Sequence, residues 1–128
     1  MSDIDTTQKK ILVVEDEKPL RRAVCDTLIH EGFVALEAKD GQEGVTQAIT
    51  HKPDLILMDI LMPNMDGRAA LKEIRANPAT EQIPVVMLTN MSDMSYVAEV
   101  TSYPKVDYLV KSDWSITDVL GKIRQMLG

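Results

Sequence analysis

A chain of 128 residues, 45% hydrophobic and 27% charged, has the composition of one soluble globular domain with a single well-filled core. Its apolar runs fall short of the roughly 18 residues that a membrane helix needs, and its polar start, Met1 to Lys10, lacks the apolar stretch of a signal peptide, so the expected compartment is the cytoplasm. A net charge of −6 argues against general nucleic-acid binding, and a lone cysteine, Cys25, excludes an internal disulfide or a cysteine-rich zinc site.

Residues 1–9 carry no periodicity and are expected to form a disordered polar tail, which leaves residues 10–128 as the domain. Ile11 to Val14 is an apolar strand that runs into Glu15-Asp16. Pro19 then suits the first turn of a helix. Leu20, Ala23, Val24, Thr27 and Leu28 fall on one helical face. Cys25 lies within that pattern as core filler. His30 in the last turn and Gly32 beyond it have the chemistry of a helix end.

Val34 to Ala38 is a less apolar strand, expected at a sheet edge. Asp40 caps a helix that turns Val45, Ala48 and Ile49 inward, and Pro53 stops it. Leu55 to Met58 is apolar at every position, the mark of a strand buried on both faces of a parallel sheet, and it ends in Asp59. A turn rich in Pro, Asn, Asp and Gly follows, and Gly67 opens a third helix with Ala70, Leu71 and Ile74 on its inner face. Val85 to Leu88 is a fourth strand that runs into Thr89.

Residues 91–103 are weakly patterned and predict a short fourth helix, with Met94, Val97 and Ala98 as its buried set. Tyr108 to Val110 is a fifth strand that runs into Lys111. Ser115 and Asp118 have the spacing of a capping box for the last helix, with Trp114 and Val119 as its hydrophobic staple. Five strands alternating with five helices mean an α/β fold, a doubly wound parallel sheet with right-handed crossovers.

In such sheets the chemistry gathers at the carboxyl ends of the strands. Glu15, Asp16, Asp59, Thr89 and Lys111 all fall there, which predicts one site. Crowded carboxylates call for a raised pKa or a bound cation. An all-oxygen, partly solvated site suits Mg²⁺, which takes one or two carboxylates and keeps waters. With a lysine and a hydroxyl, the set matches what a transferring phosphoryl group needs around its oxygens, and a carboxylate can itself be the nucleophile.

These residues resemble the receiver domain of two-component response regulators, of the flavodoxin-like, chemotaxis-regulator type. The resemblance rests on the pair Glu15-Asp16, the run Asp59-Ile60-Leu61-Met62-Pro63 with Met65-Asp66-Gly67, and then Thr89, Tyr108 and Lys111. It spans roughly residues 10–127, with intervals of 43 positions from Asp16 to Asp59, 30 to Thr89 and 22 to Lys111.

The resemblance implies strand order 2-1-3-4-5 and phosphorylation of Asp59 by a phosphohistidine of a sensor histidine kinase or a histidine phosphotransfer protein. It also implies Mg²⁺, or Mn²⁺ in its place, on Asp16, Asp59 and the Leu61 carbonyl, with Glu15 acting through water. Lys111 would contact the phosphoryl group, and Thr89 with Tyr108 would form the switch. A downstream protein would dock on the fourth helix, fifth strand and fifth helix, with no direct contact to nucleic acid or membrane and no stronger self-association than a weak dimer. The domain would be a signalling phosphoacceptor rather than a conventional enzyme. Two positions depart from the family pattern. Lys111 precedes Ser112 where a cis proline is usual, so a trans bond with a shifted loop is expected, and Asn90 stands where a small residue is favoured.

Other readings fit less well. A haloacid-dehalogenase-like phosphatase wants a second aspartate at position 61, where this chain has leucine, and the phosphate of a flavodoxin would be repelled by Glu15-Asp16. A pseudo-receiver would lack an acid or the lysine, and a generic α/β domain leaves the rim cluster unexplained. Because the chain stops at Gly128, directly after the fifth helix, no output domain is expected: the chain would be a stand-alone regulator, a phosphorelay intermediate or an excised fragment.

Overall fold

The computed structural model describes residues 9–113 and 115–128. Five strands, β1 (Lys10–Val14), β2 (Val34–Ala38), β3 (Leu55–Asp59), β4 (Val85–Thr89) and β5 (Val106–Val110), form one parallel sheet in the order β2-β1-β3-β4-β5. The helices between and after them are α1 (Lys18–His30), α2 (Gly41–His51), α3 (Gly67–Ala76), α4 (Val97–Thr101) and α5 (Ile116–Leu127). Short 3₁₀ segments, Met91–Tyr96 and Lys111–Asp113, precede α4 and α5. The expected α/β, flavodoxin-like architecture is the one observed, with β2 at an edge as its weaker apolar pattern predicts. The staple proposed for Trp114 and all of the tail but Lys9 lie outside the described residues. Lys9 itself joins the fold, since its carbonyl accepts from the Val34 N–H.

Alternate strand residues point to opposite faces, so one apolar run feeds two cores. Leu12, Val14, Ile56 and Met58 pack under α2 and α3, while Ile11, Val13, Leu55 and Leu57 pack under α1 and α5. β1, β3 and β4 have no polar residue between their first and last positions, because helices cover both of their faces.

The helix boundaries follow their local chemistry. Asp40 caps α2 by accepting from the Glu43 N–H at 2.8 Å, and Asp66 caps α3 by accepting from Arg68 and Ala69. Ser115 and Asp118 form the expected reciprocal capping box on α5. α1 instead starts from Glu17 without a side-chain cap and uses Pro19 in its first turn. All peptide bonds among the described residues are trans, Lys111–Ser112 included.

Three expectations about facing need correction. Ala23 is exposed, and the inner face of α1 is Val24, Cys25 and Leu28, with Leu20 half-buried. Ile49 is 39% exposed, because Gly41, Gly44, Val45 and Ala48 already fill the line of α2 that meets the sheet. Between residues 91 and 103, Val100 and Asp93 are buried, Met94 and Val97 only half so, and Ala98 is exposed. A 3₁₀ turn ahead of a single α-turn breaks the 3.6-residue period on which the expected set was counted.

Candidate functional site

Strand register brings the carboxylates together. Val14 pairs with Met58, so Glu15 and Asp59 leave the sheet side by side from β1 and β3. Asp59 pairs with Leu88, which puts Thr89 one step beyond it on β4, and Thr89 pairs with Val110, which puts Lys111 one step beyond β5. One oxygen each from Glu15, Asp16 and Asp59 lie within 4.8 Å of one another. Glu15 and Asp59 are buried, whereas Asp16 is exposed.

The Lys111 ammonium closes the cluster. It donates to Asp59 Oδ2 at 2.6 Å and to Glu15 Oε1 at 3.0 Å, although Lys111 is more than fifty residues from either. The other Glu15 oxygen accepts from the Glu17 N–H.

Burial sets the electrostatics. Loss of hydration pushes the Glu15 carboxyl up to about 7 against the Glu17 N–H bond; the Asp59 charge adds to the rise and Lys111 opposes it. Burial raises Asp59 too, with Lys111 again opposing and Asp16 adding to it. Burial works against the Lys111 ammonium, but its bonds to Asp59 and Glu15 outweigh that and raise it. By contrast Cys25, pushed up to about 11 by burial, is an inert core thiol, as expected.

The backbone around Asp59 is tightly held. The Ile60 N–H donates to the Leu88 carbonyl, and a Cβ on Gly67 would collide with the Asp59 carbonyl oxygen. Only glycine therefore allows α3 to begin so close to the end of β3. Leu61, whose carbonyl is the expected metal ligand, carries a side chain that is 42% exposed.

Thr89 is fully buried, and its hydroxyl donates to the Asn90 carbonyl at 3.0 Å. It thus lies one strand from Asp59 without bonding to it. Tyr108 is half-buried against the core under α2 and α3.

Two supports escaped the sequence reading. Arg21 donates from Nη1 to the Glu15 carbonyl at 2.8 Å and from Nε to Glu37 at 2.9 Å, tying the acidic loop to β2. Arg68 stacks over the Tyr96 ring at 4.1 Å and pairs with Asp66 and Glu99, tying the start of α3 to the segment after β4. Neither belongs to a periodic pattern. Arg21 is readable only as a basic residue on an amphipathic helix, and its partner only as a charge on an edge strand.

The profile of the family described as response regulator receiver domain matches residues 11–123. The chain belongs to that family, whose members serve phosphorylation-dependent signalling in two-component systems. It is 36% identical over 118 residues to the response regulator ArlR of Staphylococcus saprophyticus, a match covering 92% of this chain and 52% of that protein. It is 39% identical over 117 residues to the transcriptional regulatory protein PdtaR of Mycobacterium tuberculosis, covering 90% of this chain and 55% of that one. The chain thus spans about half the length of these curated relatives.

Among solved structures, a putative response regulator from Chloroflexus aurantiacus superposes with a TM-score of 0.85 at 26% identity, covering 94% of this chain and 98% of that one. The receiver domain of a Pseudomonas aeruginosa sensor histidine kinase, with a magnesium ion coordinated in its active site cleft, superposes at 0.82 with 28% identity, covering 94% and 98%. No described helix is long and apolar enough to cross a membrane.

Proposed function

We propose that this chain is a phosphorylation-driven switch in which Asp59 accepts a phosphoryl group from the phosphohistidine of a sensor histidine kinase or a histidine phosphotransfer protein. The observation that carries this reading is the triangle of Asp59, Glu15 and Lys111, in which one ammonium bonds two buried carboxylates.

The donor set fits Mg²⁺, with Mn²⁺ able to replace it. Three carboxylates supply oxygens only, and their spread of 4.8 Å is a little wider than the roughly 3–4 Å between ligands of an octahedral ion with bonds of about 2.1 Å. A rotation of the exposed Asp16 side chain would close that gap. Asp16, Asp59 and the Leu61 carbonyl would hold the ion directly, and Glu15 through a water. Bound there, it would neutralise charge on the phosphoryl oxygens.

The chain's own residues do the rest. An Asp59 oxygen attacks phosphorus, forming an O–P bond as the N–P bond of the phosphohistidine breaks and the imidazole leaves. The Lys111 ammonium, already within 2.6 Å of Asp59, transfers its bond to a phosphoryl oxygen. The Thr89 hydroxyl gives up the Asn90 carbonyl for another phosphoryl oxygen. That movement opens space into which Tyr108 turns, changing the face formed by α4, β5 and α5 that a downstream protein reads.

Incubation with phosphoramidate or acetyl phosphate and Mg²⁺ tests the reading. One phosphoryl group, labile to hydroxylamine, should be added to the wild type and none to Asp59→Asn, because an amide is a poor nucleophile. Full labelling of Asp59→Asn overturns it.

A further inference from the structure

The turn after Asp59 contains a backbone conformation that needs an explanation. Asn64 has φ of +69°, and the Met65 N–H donates to the Pro63 carbonyl at 2.9 Å. This is a γ-turn of positive φ, the rarer and more strained of the two kinds. Asparagine tolerates the left-handed region better than most residues, but tolerance alone does not select it.

The fixing contacts come from α2. The Asn64 amide donates from Nδ2 to Asp40 Oδ2 at 2.7 Å, while Asp40 Oδ1 accepts the capping bond from Glu43. Asp40 is buried, and these two bonds hold its carboxyl below the usual range, the Glu43 bond foremost. Beside it the Met65 carbonyl sits directly on Gly41, where any Cβ would collide. The β2–α2 and β3–α3 loops are thereby locked together over the end of β1, which lies between their two strands.

We propose that Asp40 and Asn64 are positioning residues for the Asp59 site: their bond fixes the path of residues 61–65 and so aims the Leu61 carbonyl. The inference rests on the proposed role of that carbonyl. It gives Asp40 two separable tasks, capping α2 with one oxygen and holding the turn after β3 with the other.

The two tasks can be separated by substitution. Asp40→Ser keeps an acceptor for the cap and lacks the second oxygen. Asn64→Gly keeps the positive φ and lacks the amide. Asp40→Asn keeps both bonds once the Asn64 amide turns over to accept, so it is the rescue variant.

Each of the first two should weaken Mg²⁺ binding, followed by calorimetric titration, about tenfold, the low end for loss of a group that orients a ligand. Each should slow phosphorylation by phosphoramidate to a similar degree. The double variant should be no worse than either single one, because both remove the same bond. Asp40→Asn should stay within about twofold of wild type on the same argument.

In metal-free protein, amide exchange at Leu61, Met62, Asn64 and Met65 should quicken in Asp40→Ser while the amides of α2 are unchanged. Wild-type Mg²⁺ affinity in both single variants, or additive losses in the double, overturns the proposal. If wild type neither binds Mg²⁺ nor accepts phosphoryl, the reading of the site itself fails. The exchange measurement then decides on the lock alone, and unchanged exchange in Asp40→Ser overturns it.

Discussion

Lys111 Nζ lies 2.6 Å from Asp59 Oδ2, so the fully buried central strand β3 ends in an ion pair with the residue that follows the edge strand β5. Both groups are largely buried, with side chains 14% and 8% exposed. The pair is shared with Glu15, and one ammonium therefore faces two buried carboxylates. Such an arrangement costs stability in the metal-free protein, because burial raises the carboxylates more than the lysine lowers them.

That imbalance has opposite consequences for the two partners. Asp59→Asn removes a buried charge and should raise the stability of the metal-free protein by on the order of 1 kcal/mol, a typical size for a single change. Lys111→Met leaves two buried carboxylates without their cation and should lower it by about 3 kcal/mol at pH 8. Denaturant melts in EDTA measure both. An Asp59→Asn variant less stable than wild type would show that the pair stabilises the fold on balance.

The pH dependence follows from Glu15. Its carboxyl is pushed up to about 7 by burial, from an ordinary value near 4.5. Between these values the folded state holds a proton that the unfolded chain has released. Stability of the metal-free protein should therefore fall as pH rises from 4.5 to 7, by on the order of 2–3 kcal/mol from this group. Of the groups facing it, Lys111 is raised above its ordinary value near 10.5 and stays charged throughout this window, and the raised Asp59 carboxyl adds a fall of the same sign. Glu15→Gln should flatten the profile. Saturating Mg²⁺ should reverse its slope, since metal and proton compete for the same oxygens. A metal-free protein that gains stability across this window would contradict the sign.

Loss of phosphate should be slow. On the proposed function, a hydrolytic water reaching the Asp59 phosphate would pass Leu61 and Met91, the residues two positions after Asp59 and Thr89. Both side chains are exposed at the rim, and neither has a group that can orient a water. Without that positioning the half-life should be nearer tens of minutes than seconds, a rough figure from the cost of losing one positioning group. Leu61→Asn combined with Met91→Gln should shorten it by about an order of magnitude on the same scale. Wild-type loss within seconds would show that water access is not controlled at these positions.

The sheet and the residues of the site were legible because each strand but the edge strand β2 is a short apolar run stopped by the polar residue that the site uses. Glu15, Asp59, Thr89 and Lys111 could all be placed at one rim from alternation alone. Register, which brings Glu15 beside Asp59, depends on pairing between strands and leaves no local signal. The supports around the site were not legible for the same reason. Arg21 meets Glu37 sixteen positions away, Asn64 meets Asp40 across 24, and Arg68 meets Glu99 across 31. Each is a polar surface residue when its own stretch is read. The segment from Met91 to Thr101 misled because a 3₁₀ turn has a three-residue period, which moves the buried positions to Asp93 and Val100.

The identity of the phosphorylated atom is the most direct test. Borohydride reduces an aspartyl phosphate to homoserine, which marks the acceptor permanently. After phosphorylation with phosphoramidate and Mg²⁺, peptide mass spectrometry should find homoserine at position 59. Homoserine at position 16, or a phosphoryl group on His30 or His51 with position 59 unmodified, would contradict the assignment of Asp59 as the acceptor.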